Sequence, residues 1–455
     1  MKTIIKSIAL SICLAGAISA VAQNTNSGYF TENYTYRYQL NPAMANADNF
    51  IAMPGVGNLN AAMRGTVGID NILYNINGET TTFLNPLVDA GEFLNGLNDV
   101  NRIGADIKIG LLSAGFKAFN GYNTVSLNVR GNMNTRLPKT LFSFLKEGIS
   151  NQTYDISDVK AHVDAYIELG LGHSHQLGEK WRVGGALKFL LGGANIDADF
   201  DKAQLTLGTD AWTAVTNARL QSSVKGLTYK HDVNDRTGHE YVSGMDVDGF
   251  GLNGFGMAVD LGAVFTPTSD WTFSAAVLDI GFISWGNNMV ASTNGDKTFT
   301  TDKYTFNVDD EAENSFENEW DIMRDDISAL YELEDNGDMG SRTTMLGATL
   351  NLGIEYTLPA YRNLKFGLLN STRIQGNYSW TEFRLSANVA PCKVFSAGAN
   401  MALGTYGFSF GWLMNVKVTG FNMFLGMDHT LGKLAKQGLP LSSNASVNLG
   451  INFPF

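Results

Sequence analysis

Charged side chains recur at alternate positions in stretches that otherwise alternate small polar with apolar residues. They are Asp164, Glu168, Arg182, Lys188, Asp260, Glu355, Glu382, Arg384, Lys417 and Asp428. Acids and bases sharing one face can line a polar path or a constriction. They can equally lock into compensating ion pairs that fill and stiffen an interior. A wall of mixed sign selects weakly between anions and cations. His173 and His175 flank Ser174 and share a strand face, but a metal centre needs further ligands at fixed spacing, and none follows. A serine hydrolase needs a positioned base and an orienting third group, which one sequence does not supply. Asp197, Asp199 and Asp201 alternate, and residues 309–338 carry many acids against a single arginine, Arg324. Oxygen ligands for calcium are therefore plentiful, yet no twelve-residue calcium loop fits, and acidic runs are usually solvated. No phosphate loop and no paired-cysteine zinc spacing occurs. The expectation is no enzyme, no catalytic residue, no metal and no cofactor.

The elements that carry these charges are strands. Val447, Leu449, Ile451, Phe453 and Phe455 fall on one face of a terminal strand, with Asn448, Gly450 and Asn452 on the other. The same alternation repeats upstream, in Phe421–Met427, Phe408–Val418, Phe395–Leu403, Thr381–Val389 and Leu346–Tyr356. It continues in 255–265, 181–191, 163–171 and 125–129. Strands of about ten residues suffice for a tilted strand to cross a bilayer. Charges on such strands must face the lumen, because Arg or Lys towards lipid costs ~2–4 kcal/mol at the midplane. The connections sort by parity. Gaps at 418–421, 390–393, 358–363, 266–270, 177–180 and 119–122 are short, and the intervening ones hold every long segment. That asymmetry belongs to outer-membrane barrels. The alternative for the terminal strand alone is the buried edge of a soluble sandwich, which has no reason to sort its loops. The expected fold is all-β: one transmembrane antiparallel barrel of 14 to 16 strands over residues 50–455, with residues 50–74 and 195–228 least clear.

The composition agrees. The chain has 455 residues, 49 of them glycine, and a net charge of −12. The acidic balance argues against nucleic acid as a partner. No stretch after the first 22 residues approaches the ~18 apolar residues of a membrane helix, so a closed barrel is the remaining way to span lipid. Residues 1–22 read as an export signal: Lys2 and Lys6, an apolar stretch from Ile8 to Ala20, then a small-residue cleavage site at Ala20-Val21-Ala22. Cys13, preceded by Ile12, is not a lipoprotein cysteine. Removal of the signal leaves Cys392 alone, so no internal disulfide forms. The expected location is the outer membrane of a Gram-negative bacterium. Phe453 and Phe455 look like the signal by which the barrel-assembly machinery recognises a final strand.

Three long loops carry helical stripes. Asn85 caps one before Pro86, with Leu87, Ala90, Leu94 and Leu97 aligned. Pro138 opens the second, with Leu141, Phe144 and Leu145 on one side and Gly148 as its stop. The third spans about 321–334, with Met323, Ile327, Leu330 and Tyr331. These stripes pack onto the barrel mouth, form an apolar surface that captures a small hydrophobic ligand, or dock a partner. Residues 23–49 precede the first strand and are rich in tyrosine; they are either a plug in the pore or a periplasmic tail.

Three segments carry a resemblance. Leu40-Asn41-Pro42-Ala43 resembles the Asn-Pro-Ala motif of FadL-type long-chain fatty-acid transporters. Residues 137–148, together with Val183-Gly184-Gly185-Ala186-Leu187-Lys188-Phe189-Leu190 and Gly192-Gly193-Ala194, are similar to an uncharacterised family of outer-membrane barrels distantly related to those transporters. The resemblance implies a barrel of roughly 14 strands and no established substrate. Two functions follow. One is a passive outer-membrane channel for small hydrophobic or amphipathic molecules. The other is a non-transporting scaffold that displays surface loops or joins a secretion or surface assembly.

Overall fold

The computed structural model describes residues 25–147, 152–208, 211–234, 236–249, 251–305, 314–430 and 444–455. The expected export signal at 1–22 and the expected helix stop at Gly148 lie outside the described residues. Alternation of apolar and polar side chains over long stretches leaves the chain one way to bury both, which is to wrap. It forms a closed antiparallel barrel of 14 strands, with 62% of the described residues in strands.

The wall strands are β1 (Phe50–Ala52 with Leu59–Gly65), β2 (Val100–Ala118), β3 (Gly121–Pro138), β4 (Val159–Leu177) and β5 (Trp181–Leu207). Then come β6 (Trp212–Val224 with Gly254–Phe265), β7 (Trp271–Trp285), β8 (Arg342–Met345 with Ala348–Thr357), β9 (Leu364–Ile374) and β10 (Trp380–Val389). The last four are β11 (Phe395–Gly404), β12 (Gly407–Val418), β13 (Phe421–Met427) and β14 (Ala445–Pro454). Each pairs with its sequence neighbour, and β14 returns to β1 with Leu449 opposite Leu59 and Phe453 opposite Ile51. Closure leaves the wall without an unpaired edge, as a structure in lipid requires.

The outer face is an apolar belt. Leu261, Phe383, Leu385, Leu403 and Phe408 are each more than half exposed, while Asn448 and Asn452 on the inner face of β14 are buried. Near the short-turn end, Trp181 stacks on Phe265 at 4.4 Å and Trp271 lies 4.7 Å from Tyr356, the placing of an interfacial aromatic girdle. The belt is testable. Leu385→Arg at mid-strand is expected to cost ~2–4 kcal/mol in unfolding from lipid vesicles. Ser386→Thr, one residue on but facing the lumen, should cost far less.

The two stretches where alternation is least clear are irregular. β1 bulges between Ala52 and Leu59, and its backbone still bonds both neighbours there through Met53, Gly55 and Val56. β5 runs 27 residues and rises well past the belt. β6 is split. Its two pieces pair end to end with β5, Val224 opposite Ala194 and Gly254 opposite Gly192. Between them the chain leaves the wall as a hairpin, Leu227–Val233 with Glu240–Val247. Periodicity alone reads this stretch as a loop.

The helices correct their expected bounds. α1 covers Ala90–Asn95 and is capped by Asp89, whose carboxylate accepts from the Glu92 N–H at 2.7 Å. Asn85 and Pro86 therefore lie in the preceding turn. α2 is Lys139–Glu147, directly after Pro138. α3 is Phe316–Ala329, starting earlier than expected, and Glu334 already begins a strand.

Candidate functional site

The inner wall divides by chemistry. From β8 to β14 it is rich in amides, with Asn351, Asn388, Asn400, Asn415, Asn448 and Asn452 all buried among a few charged side chains such as Glu355, Arg373 and Arg384. From β2 to β7 it presents ions. Arg130 on β3 donates to Glu168 at 2.7 Å and, through both terminal nitrogens, to Asp279 at 3.0 Å. Lys188 on β5 lies 2.6 Å from Asp279, 2.7 Å from Asp260 and 3.8 Å from Glu168. Lys108 on β2 is buried beside them. Three cations and three carboxylates thus meet at one level.

Asp279 gets there through a bulge. Leu278 and Asp279 together oppose Asp260, Asp279 sits at φ 60, and both side chains turn inward. The backbone N–H of Asp279 also donates to the Asp260 carboxylate at 2.7 Å.

The remaining sequence candidates fall into smaller groups. Arg384 pairs with Glu382 at 2.6 Å, and its guanidinium also reaches the Asp428 carbonyl. Asp164 bonds His162, which also bonds Asp197. Glu355 lies 3.7 Å from Lys365, and Lys417 lies 2.6 Å from Asp48. Arg182 bonds Gln176 near the rim. His173 bonds Asn123 and stacks on His175, with no metal-ligand group of three or more among the described residues. Asp197 pairs with Arg342, while Asp199 and Asp201 share Lys160, so cations already occupy these three of the carboxylates considered for calcium; the start of the acidic run at 309–338 lies outside the described residues.

Residues 25–49 lie inside the cylinder, in its short-turn half. Tyr29, Tyr34, Tyr36 and Leu40 are almost wholly buried. The N–H groups of Asn26 and Ser27 donate to the Asp428 carboxylate at 2.8 and 2.6 Å. Tyr29 donates to Ser274 at 3.0 Å, Asn422 to Thr35 at 2.8 Å, and Asn351 to the Leu40 carbonyl at 2.9 Å. Asn41 bridges the carbonyls of Ala263 and Ala275 on adjacent strands at 3.3 and 3.2 Å. Wall glycines make the room. A Cβ at Gly184 would overlap Pro42, at Gly262 Asn41, and at Gly367 the Phe30 ring.

The long-loop half is crossed as well. Arg64 pairs with Asp106 and spreads over Trp380 and Tyr406 at 4.7 and 5.4 Å. His162 stacks on Tyr378 at 5.8 Å. Two cavities remain along the ionic side, one against Pro42 and Tyr38, the other above Leu40 and Asn26. Lys108 lines both. Each has about 30 Å³ of free space, room for a couple of waters or a small group of that size.

The expected apolar surface at the mouth is not open. Leu97 and Leu141 close on Phe93 and Phe142, with Leu94 and Leu145 packed alongside, and Phe144 meets Tyr154 at 5.3 Å. Leu330 and Ile327 pack on Phe299 and Ala214. Of the stripe residues Leu87 and Tyr331 are exposed. Burying these stripes against each other removes more apolar area from water than leaving them free.

α3 is fastened by Asp326, which accepts from Lys303 and Tyr304 at 2.7 and 2.5 Å and pairs with Arg236. Burial would raise its pKa, but those hydrogen bonds and charges outweigh it and hold the carboxyl below its usual range. A depressed acid stabilises above its unfolded pKa and loses that contribution as pH falls through the folded one. The protection factors of the 316–329 amides, corrected for the intrinsic pH dependence of exchange, are therefore expected to fall below the ordinary carboxylate range and to be unchanged between neutral pH and pH ~5. Asp326→Asn should remove that acid step.

A closed, lipid-belted cylinder of 14 antiparallel strands around an ionised interior is a transmembrane β-barrel. Over residues 42–428 the sequence matches the model of a family of unknown function, DUF5723, and the chain belongs to that family. No curated protein matches. Among solved structures it is similar to the TodX deltaS2S3 mutant, a monoaromatic hydrocarbon channel, at 9% identity and TM-score 0.42, covering 96% of this chain and 98% of that one. It is similar to the Ralstonia pickettii toluene transporter TbuX at 8% identity and TM-score 0.40, covering 96% and 95%. It is also similar to a Pseudomonas aeruginosa FadL homologue at 10% identity and TM-score 0.37, covering 96% and 98%. These likenesses are too loose to bear on substrate or mechanism.

Proposed function

We propose that this chain is a passive outer-membrane channel, held closed by its own residues 25–49, that admits small amphipathic solutes. The observation that carries the reading is the seat of that segment. It is fitted between an amide-rich wall and glycine recesses, with water-sized cavities beside the ion cluster. A body that merely filled the barrel would have no need of a lumen wall cut to its outline. Asp428 holds it by two backbone N–H groups, an attachment that one carboxylate can release. In this reading the short turns face the periplasm and the loops face outward. Phe453, on the lipid face of the closing strand, serves recognition by the assembly machinery.

Liposomes loaded with osmolyte and carrying the purified barrel test it. Swelling in small amphipathic solutes from a variant lacking residues 25–49, with far slower swelling from wild type and none from empty vesicles, is the expected result. The second reading is a closed scaffold, favoured by the added crossing of the mouth at Arg64, Trp380 and Tyr406. No swelling from wild type, and none from a variant lacking residues 25–49, would decide for the scaffold.

A further inference from the structure

We infer that the cavity above Leu40 is a subsite for a carboxylate group of a small organic anion, with Arg373 as its main contact. The inference rests on the channel reading only for how such a molecule arrives.

Among the described residues, three arginines are more than nine-tenths buried: Arg64, Arg373 and Arg384. Arg64 has Asp106 and Arg384 has Glu382. Arg373 donates through Nε to the neutral Gln375 at 2.9 Å, and among the described residues it has no carboxylate within ion-pair distance. Arginine does not escape burial by losing its proton. A buried charge without a counter-charge is costly, and its remaining N–H groups need acceptors.

Arg373 lines the cavity, and the other charged residues there are spoken for or of the wrong sign. Asp106 pairs with Arg64, and Asp279 is held by Arg130 and Lys188. Lys108 and Arg130 add positive charge to the same lining. Thr349, Asn351 and Asn132 supply neutral polar groups, with Ile107 and Leu278 beside them for the short apolar remainder of such a molecule. A carboxylate accepts two parallel N–H bonds from a guanidinium edge. Such a group also fits where there is room for about two waters, which a long-chain body does not.

Saturation-transfer NMR with acetate at fixed ionic strength, on the detergent-solubilised full barrel, tests this. Methylammonium is the cationic comparator. Acetate should give a saturable signal and methylammonium none. Arg373→Gln should weaken acetate binding at least about tenfold, as loss of a charged hydrogen-bond donor does. Gly347→Ala keeps every charge, but its Cβ would overlap the Arg373 guanidinium, so it should weaken binding as well. Lys393→Gln, in an exposed turn, should leave it unchanged. Heat-modifiable gel mobility confirms that each variant is a folded barrel. An acetate signal that never saturates, or that survives Arg373→Gln and Gly347→Ala, overturns the inference. So does methylammonium competing for the site. Solute entry without acetate binding would remove the subsite and leave the channel. Acetate binding without solute entry would do the reverse.

Discussion

Deleting residues 25–49 is expected to turn a silent barrel into one with resolvable single-channel steps in planar bilayers. The segment is the bulk of what occupies the short-turn half. Its removal exposes a wall already lined with amides and charges that water can solvate. The deletion also strips apolar rings from the lumen, so a loss of folding must be told apart from an open pore. A wall variant does this. Gly184→Leu with Gly262→Leu leaves the segment in the chain but takes away the recesses for Asn41 and Pro42. It should raise conductance in the same direction, by less than the deletion does. Asp428→Asn should show brief openings, because it weakens the hold on Asn26 and Ser27 while keeping the shape. Silence from all three folded variants would mean that the mouth alone seals the barrel.

The second large effect is on stability. Asp279→Asn is expected to cost about 3–5 kcal/mol, because it leaves Arg130 and Lys188 buried with one carboxylate fewer. The charges here are coupled, so the losses should not add. Asp279→Asn combined with Lys188→Met should be less destabilised than the single substitution, by recovering the charge balance. Conversion of the whole cluster to apolar residues of similar volume should come out close to neutral in stability. Denaturant unfolding from vesicles, followed by tryptophan fluorescence, reads all of these. A cost below about 1 kcal/mol for Asp279→Asn would show that water screens the cluster like a surface pair.

The barrel was legible because lipid imposes a period of two on every strand and the charges must obey it. β14 and the parity of the short turns carried most of that signal. What was hidden follows from departures from the period. The bulge in β1 breaks the alternation between Ala52 and Leu59. The bulge that aims Asp279 inward moves it off the parity of its strand, so nothing in the spacing marks it. Arg130 and Lys108 had a signal that went unused. Both share the inner face with Asn128, Asn132 and Asp106 on regular strands. The position of residues 25–49 could not be read from their own composition. It depends on glycines in distant wall strands and on which amides meet them. The mouth stripes are legible as stripes, but only packing shows that they close on one another.

Thiol labelling tests the seating of residues 25–49 most directly. Cys392 is exposed in a short turn and serves as an internal reference. Ser27→Cys places a second thiol where Ser27 is buried against Asp428. In intact vesicles with both bilayer faces accessible to a charged maleimide, Cys392 should react promptly and the introduced thiol only after denaturation. Equal reaction of the two in the folded protein would contradict the account, because the segment would then hang free of the lumen.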